Sequence, residues 1–237
     1  MRAVICDERI SPKMERALLK YGYFVIKLPR CDSLPEAICS HPDTLIFRLG
    51  NIFLTTCDYG ERAAYVFSDL REFSTDSRIF FIDETLGKRH PEDARLNAIS
   101  FGENLIVNEK TISEQILEIA KKEGFLPQNV NQSYPNCSIL KLNEENAITA
   151  DMGIYKKLTS LGIKTLLIKS GGISLQPYEY GFIGGASGVD GDKVFFLGNL
   201  DLHQNADEIK EFISSLGLRA ISLSDEPLSD LGGLIFI

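Results

Sequence analysis

Short apolar runs recur along the chain in pairs, and each pair brackets a turn rich in Gly, Asn or Asp. The turns are "LGN" from residue 49, "GEN" from 102, "NEEN" from 143 and "SGVDGD" from 187, and the returning strands are "IFLTT", "LIVNE", "AITAD" and "VFFLGN". Apolar runs joined by such turns predict β-hairpins. After the hairpins the apolar period lengthens to that of a helix. Ile10, Met14, Ala17, Leu18 and Tyr21 mark one apolar face, as do Ile112, Ile116, Ile119 and Ala120, and Ile209, Phe212, Ile213 and Leu216. Thr111 with Glu114, and Asn205 with Glu208, have capping-box spacing. Gly22, Gly124, Gly162 and Gly217 stand where helices end, whereas the helix near 60 to 73 runs into "FSTDS". A further strand follows each helix: "FVIKL", "RIFFID", "LPQNV", "TLLIK" and "AISL".

The prolines give this succession a period. Pro42, Pro91, Pro135, Pro177 and Pro227 lie 49, 44, 42 and 50 residues apart, each ahead of an apolar stretch. Five strand–strand–helix–strand units fill the chain, at approximately 1–50, 51–104, 105–146, 147–193 and 194–237. The N-terminal "MRAVICDE" and the C-terminal "GGLIFI" can pair to complete the fifth hairpin and close a ring. The expected fold class is therefore α/β, a five-bladed pseudo-symmetric propeller forming a single domain. A doubly wound sheet is the competing reading, but it needs no hairpin in every unit.

Six glycines crowd into "GFIGGASGVDGDKVFFLGN", residues 181 to 199. No "GK[ST]" follows and no helix opens on the loop, so a phosphate cradle is not predicted. Within the repeat, "GFIGGAS" is the inner strand, "GVDGDK" the turn and "VFFLGN" the return. Gly184 and Gly185 would then leave space near the axis for another backbone or a ligand.

Composition narrows the function classes. The chain has 237 residues and a formal net charge of −8, and "GKR" at 87 to 89 is its strongest basic cluster, which argues against a nucleic-acid partner. No apolar run is long enough to span a bilayer, so no membrane role is expected. Cys6, Cys31, Cys39, Cys57 and Cys137 are odd in number and lack a CxxC spacing, which fits reduced thiols in a cytoplasmic protein.

The five hairpin-bearing units, with the termini closing the ring, resemble the pentein fold. That fold is shared by guanidine-modifying enzymes (arginine deiminase, agmatine deiminase, dimethylargininase, amidinotransferases) and by the ribosomal anti-association initiation factor of archaea and eukaryotes. The resemblance is nearest to bacterial pentein-like proteins without an assigned activity. For an enzyme member it implies a nucleophilic Cys on the Gly-rich C-terminal strand and a His in the fourth module. Here "DLGGLIFI" puts Ile235 or Phe236 at the first position, and "YEYGFIGG" holds no His.

The repeat offers a different constellation, because the residues flanking each proline would share the mouth of a central channel. Cys137, His41 and His90 are the candidates for chemistry, as a thiol activated by an imidazole. Asp43, Asp93, Tyr178, Glu179, Gly184, Gly185 and Asp230 are the candidates for binding. The bland alternatives are a buried strand-start cysteine and loop-capping histidines. His203, ahead of a helix, is expected at a solvent-exposed rim. The His, Asp and Cys candidates are spread over three loops without metal-ligand spacing, so neither a metal nor a cofactor is expected. Converging acids favour a small polar or cationic ligand. The second reading is a non-catalytic protein gripping a macromolecular partner, and the third a cysteine-dependent hydrolase or transferase using Cys137.

Overall fold

In the computed structural model, which describes residues 2–237, the N-terminal apolar run forms β1 (Arg2–Asp7), and α1 (Pro12–Lys20) carries the chain to β2 (Tyr23–Leu28), parallel to β1. Ser11 caps α1 by accepting from the Met14 amide, and Pro12 fits the first turn. Next come α2 (Pro42–Leu45), β3 (Phe47–Leu49), β4 (Ile52–Thr56), α3 (Cys57–Arg62), α4 (Ala64–Phe73) and β5 (Arg78–Ile82). A third group has β6 (Ile99–Phe101), β7 (Asn104–Val107), α5 (Glu114–Lys122) and β8 (Leu126–Asn129). The fourth has α6 (Pro135–Ser138), β9 (Ile139–Lys141), β10 (Asn146–Thr149), α7 (Met152–Ser160) and β11 (Lys164–Leu167). After β12 (Ile173–Ser174) come β13 (Ser187–Asp190), β14 (Lys193–Phe196), α8 (Ala206–Ser215) and β15 (Arg219–Ser222), and the chain closes with β16 (Leu228–Ser229) and β17 (Ile235–Phe236).

Five three-stranded sheets share one order: an antiparallel hairpin whose second strand pairs in parallel with a third across a helix. In the sheet that begins the chain, β17 supplies the antiparallel partner, with Val4 opposite Phe236 and Ile5 opposite Ile235. The sheets stay separate, and β12 with β16 forms a small parallel pair. Gly50, Gly102 and Gly191 open two-residue hairpin turns at φ of +60°, +54° and +57°, which the twist of antiparallel strands favours. Thr55 and Thr149, in corresponding strands, donate at 2.8 Å to the carbonyls of Leu45 and Ser138 just before β3 and β9. Both hydroxyls are buried, so each bond satisfies a carbonyl water cannot reach.

Helices cover the outer sides of the sheets. Met14 and Leu18 pack with Val4 and Tyr23, Ile116 and Ala120 with Leu105, and Ile209 and Ile213 with Val194 and Phe196. Each such Val, Leu, Ile, Met or Phe side chain contributes about 1.5–3 kcal/mol on full burial.

Several local expectations change. "GFIGGAS" is not a strand: residues 183 to 186 form a tight turn in which the Ala186 amide donates to Phe182 and Ile183, and β13 starts only at Ser187. That turn takes the place that α2 and α6 hold before β3 and β9. Thr111 does not cap α5, because its hydroxyl donates to Asn108 O and Ser113 holds the cap position. Asn205 does begin α8, and its Nδ2 meets Glu208 Oε1 at 3.3 Å, but its Oδ1 accepts from the Lys169 amide and not from the first turn. The 60 to 73 segment is two helices, since the chain breaks at Ala63 between α3 and α4. Among the described residues no helix is long and apolar enough to cross a membrane.

Candidate functional site

A cavity of about 350 Å³ lies between the first strands of the five hairpins, lined by β3, β6, β9, β13 and β17. Arg48, Gly50, Lys141 and Glu144 line its hairpin-turn end, and Asp43, Asn136, Gly184 and Gly232, from segments that precede the strands, line the other. Arg48 is held by carbonyls, Nη1 to Phe236 O at 2.6 Å and Nε to Gly50 O at 3.0 Å, and its ring neighbour is Phe53. Lys141 Nζ pairs with Ser100 O and Glu144 at 2.6 Å each.

Around Asp43 a buried polar cluster forms from segments far apart in sequence. His41 is 1% exposed; its Nε2 lies 3.8 Å from Asp7 Oδ2, and its Nδ1 lies 3.9 Å from Asp43 Oδ1 and 3.7 Å from Asp230 Oδ1. These distances are too long for hydrogen bonds, and Nε2 has no partner among the described residues. Asp7 ends β1 and is answered by Arg9, at 2.5 Å for Nη2 to Oδ2 and 2.9 Å for Nε to Oδ1. Asp230 is held by backbone amides, from Phe182 to Oδ2 at 2.8 Å and from Gly232 to Oδ1 at 3.1 Å. Asp43 has less: Oδ1 accepts from Thr44 at 3.2 Å, and Oδ2 accepts no hydrogen bond of adequate distance and angle, although the Cys137 thiol stands against this carboxylate.

Asn97 ties the cluster together. Its Nδ2 donates to Asp43 O at 2.9 Å and to Cys137 Sγ at 3.1 Å, and its Oδ1 accepts from the Asn136 amide at 2.8 Å. The glycines allow the approach. A Cβ on Gly184 would fall 2.4–2.6 Å from the carbonyls of Asn136, Ile139 and Cys137, and one on Gly185 would fall 2.0 Å from Asp230 Oδ1. The space foreseen at these glycines is filled by neighbouring backbone and by Asp230.

Three carboxylates in a buried site with one paired guanidinium make the site strongly unfavourable for further negative charge. Burial, and then the charge of Asp230, push Asp43 up to about 7. Burial lowers His41 despite the pull of Asp230 and Asp7, so the imidazole rests neutral. Burial and the charges of Asp43 and Asp230 raise Cys137 well above an ordinary thiol. Cys137 therefore rests as a thiol. Maleimide at pH 7.5 should modify exposed Cys57 first and Cys137 at least about 100-fold more slowly, as read by peptide mass spectrometry. Comparable rates at the two residues would mean that the cluster opens to solvent.

Of the residues singled out from sequence, His41, Asp43, Cys137, Gly184, Gly185 and Asp230 come together. His90 and Asp93 form a separate group beside Tyr134, with His90 half exposed. Tyr178 and Glu179 stand exposed on a loop, because Pro177 lies well ahead of β13 and not at its start, unlike Pro42 and Pro135 before β3 and β9. His203 is buried rather than at a solvent rim: its Nδ1 accepts from the Asn205 amide at the start of α8. Asp7, Asn97 and Arg48 were not foreseen. Asp7 alone left a trace, a carboxylate ending the apolar run "RAVIC" with Arg two residues on. Among the described residues no group of three His, Cys, Asp or Glu could hold a metal ion.

A family model described as "Family of unknown function (DUF6873)" matches residues 5–235. No curated protein matches the chain. Solved structures share its fold. The DDAH of Pseudomonas aeruginosa complexed with citrulline aligns with a TM-score of 0.57 at 13% identity, over 94% of this chain and 92% of that one. SxtG, an amidinotransferase from Microseira wollei in the saxitoxin biosynthetic pathway, aligns at 0.56 and 11%, over 97% and 89%. The agmatine deiminase of C. jejuni aligns at 0.52 and 10%, over 94% and 87%. These are pentein enzymes, and at such identities the likeness establishes the α/β pentein fold.

Proposed function

The chain belongs to the DUF6873 family and has a pentein fold, and on that premise we propose that it is a receptor for a compact organic cation in its central cavity. In this reading the five sheets are the blades of a pseudo-symmetric propeller, one domain over residues 1–237, with the cavity on its axis. The observation that carries it is Asp43, a buried carboxylate that lines the cavity, has an unpartnered Oδ2 and is pushed up to about 7. A cation docked there would relieve the repulsion from Asp230 and supply the missing donor. The cavity, at about 350 Å³, is of a size for a small ligand. The names of the structural neighbours, built on dimethylarginine, agmatine and amidino transfer, favour a guanidinium or amidinium group as the cation. Arg48 and Lys141 at the other end fit a polar or anionic tail.

The reading is one of binding without guanidine hydrolysis of the usual kind: the family resemblance implies a Cys where this sequence has Ile235 or Phe236 and a His in the stretch "YEYGFIGG", which holds none. The alternative of a non-catalytic macromolecule binder makes no use of the unpartnered Oδ2 of Asp43.

Calorimetry with methylguanidinium, agmatine and arginine tests the proposal. At least one should bind, more tightly as pH rises through about 7, and release a proton below that pH, because it must displace the proton on Asp43. Asp43→Asn should lose the binding. Equal affinity in parent and variant, or no cation bound at millimolar concentration, would sink the reading.

A further inference from the structure

We propose that a second site, outside the central cavity, is a serine acyl-hydrolase centre built from Ser133, His90 and Asp93. Ser133 Oγ lies 3.2 Å from His90 Nε2, and His90 Nδ1 lies 3.1 Å from Asp93 Oδ1. That is the order nucleophile, base, orienting carboxylate, with each neighbour at hydrogen-bond distance. The residues come from two loops, between β5 and β6 and between β8 and β9, so the arrangement arises only in the folded chain.

Burial is graded as the chemistry requires. Asp93 is 7% exposed and pairs with no Lys or Arg among the described residues, while the side chain of His90 is 50% exposed. The carboxylate therefore works behind the imidazole: by accepting from Nδ1–H it fixes the tautomer that leaves the Nε2 lone pair toward Ser133. The Tyr134 phenol also reaches Asp93 and steadies it. Asn108, buried beneath the loop, donates from Nδ2 to Ser133 Oγ at 3.4 Å and to Asn131 O at 3.0 Å, which holds the Ser133 loop and its hydroxyl in place against His90.

The triad borders an open cleft of about 720 Å³, lined by His90, Ser133, Tyr134, Gln132, Asp151 and Lys157. Asp151 is engaged by Gln132 and by the first turn of α7, whereas Lys157 pairs with no carboxylate among the described residues. The substrate class is a short acyl ester or thioester carrying an anionic group that meets Lys157. In the first step Ser133 Oγ bonds to the acyl carbon and its proton passes to His90 Nε2. The bond to the alcohol or thiol then breaks, and the leaving group takes that proton. Water next attacks the acyl carbon and gives a proton to Nε2. The carbon–Oγ bond breaks, Oγ recovers the proton, and the carboxylic acid departs.

The test uses the full chain with a fluorophosphonate probe, followed by peptide mass spectrometry, and with two p-nitrophenyl esters, the acetate and the hemisuccinate. Labelling at Ser133 is expected, with loss of at least about 100-fold in Ser133→Ala and His90→Ala. Asp93→Asn should lower kcat at least about tenfold while KM stays, and Lys157→Met should raise KM for the hemisuccinate alone. If Ser133→Ala melts early, Ser133→Cys keeps the packing, and its alkylation by iodoacetamide should slow in the His90→Ala background. No label on Ser133, label only elsewhere, or ester hydrolysis equal in parent and Ser133→Ala would each overturn the proposal.

Discussion

Asp43→Asn should make the protein more stable above pH 7 than the parent, an uncommon outcome for a change at a buried polar residue. Burial and the nearby charge of Asp230 raise the carboxyl from 3.8 to about 7 in the folded chain, while in the unfolded chain it keeps its ordinary value. Between those two values the unfolded state has released the proton and the folded state still holds it. Folded protein binds the extra proton, so stability falls as pH rises through the window, then levels off above about 7. The distance between the two values corresponds to at most about 4 kcal/mol. The amide carries no charge and removes this loss, and the backbone carbonyl that Asn97 grips is untouched. Urea unfolding at pH 5 and pH 8 reads the effect. The parent should lose stability between the two by about 2–3 kcal/mol more than the variant does. Parallel pH dependences would show that Asp43 is ionised in the folded chain, and the electrostatic picture of the cluster would fail.

The second large effect belongs to Gly184→Ala. Its φ is ordinary, so the added methyl strains nothing locally, but it lands 2.4–2.6 Å from three carbonyl oxygens of the 136 to 139 segment. Backbone cannot swing aside as a side chain can. The segment must move, and with it the Cys137 carbonyl, to which the Gly185 amide donates at 3.0 Å. We expect a cost of about 3 kcal/mol or more, or a drop of about 10 °C in Tm. Gly191→Ala is the control: its φ of +57° disfavours alanine, yet nothing lies within 4 Å, so about 1 kcal/mol is expected. Equal losses in the two variants would refute the close approach at Gly184.

The hairpins could be read from the sequence because their information is local. A glycine two residues before a strand's return, as at Gly50, Gly102 and Gly191, fixes the turn and so the register of both arms. Helix faces such as Met14 with Leu18, or Ile209 with Ile213, are local in the same sense. Gly184 and Gly185 were half legible: the missing side chains do mark a near backbone, but nothing nearby announced that the Ala186 amide would turn back on Phe182 and delay the strand. The site was legible as residue types and not as pairings. Asn97 meets Cys137 across 40 positions, and Ser133 meets His90 across 43. Proline spacing brought His41 and Cys137 into one buried cluster beside the cavity, though neither lines it, because Pro42 and Pro135 begin short helices, and misplaced Tyr178, because Pro177 begins none.

The pairing of β1 with β17 bears on how the molecule comes into being. A chain emerging from the ribosome makes β1 long before β17, and α1 and β2 can dock on β1 at once, since their contacts are close in sequence. The other edge of β1, where Val4 and Ile5 await Phe236 and Ile235, stays unpaired until those residues are made. Throughout synthesis that open edge is a template for any passing strand, and it is formed of apolar residues. Pairing with β17 is thus also what removes this route to aggregation. A truncation that deletes only β17 would leave every other hairpin intact and still expose this edge for the life of the protein.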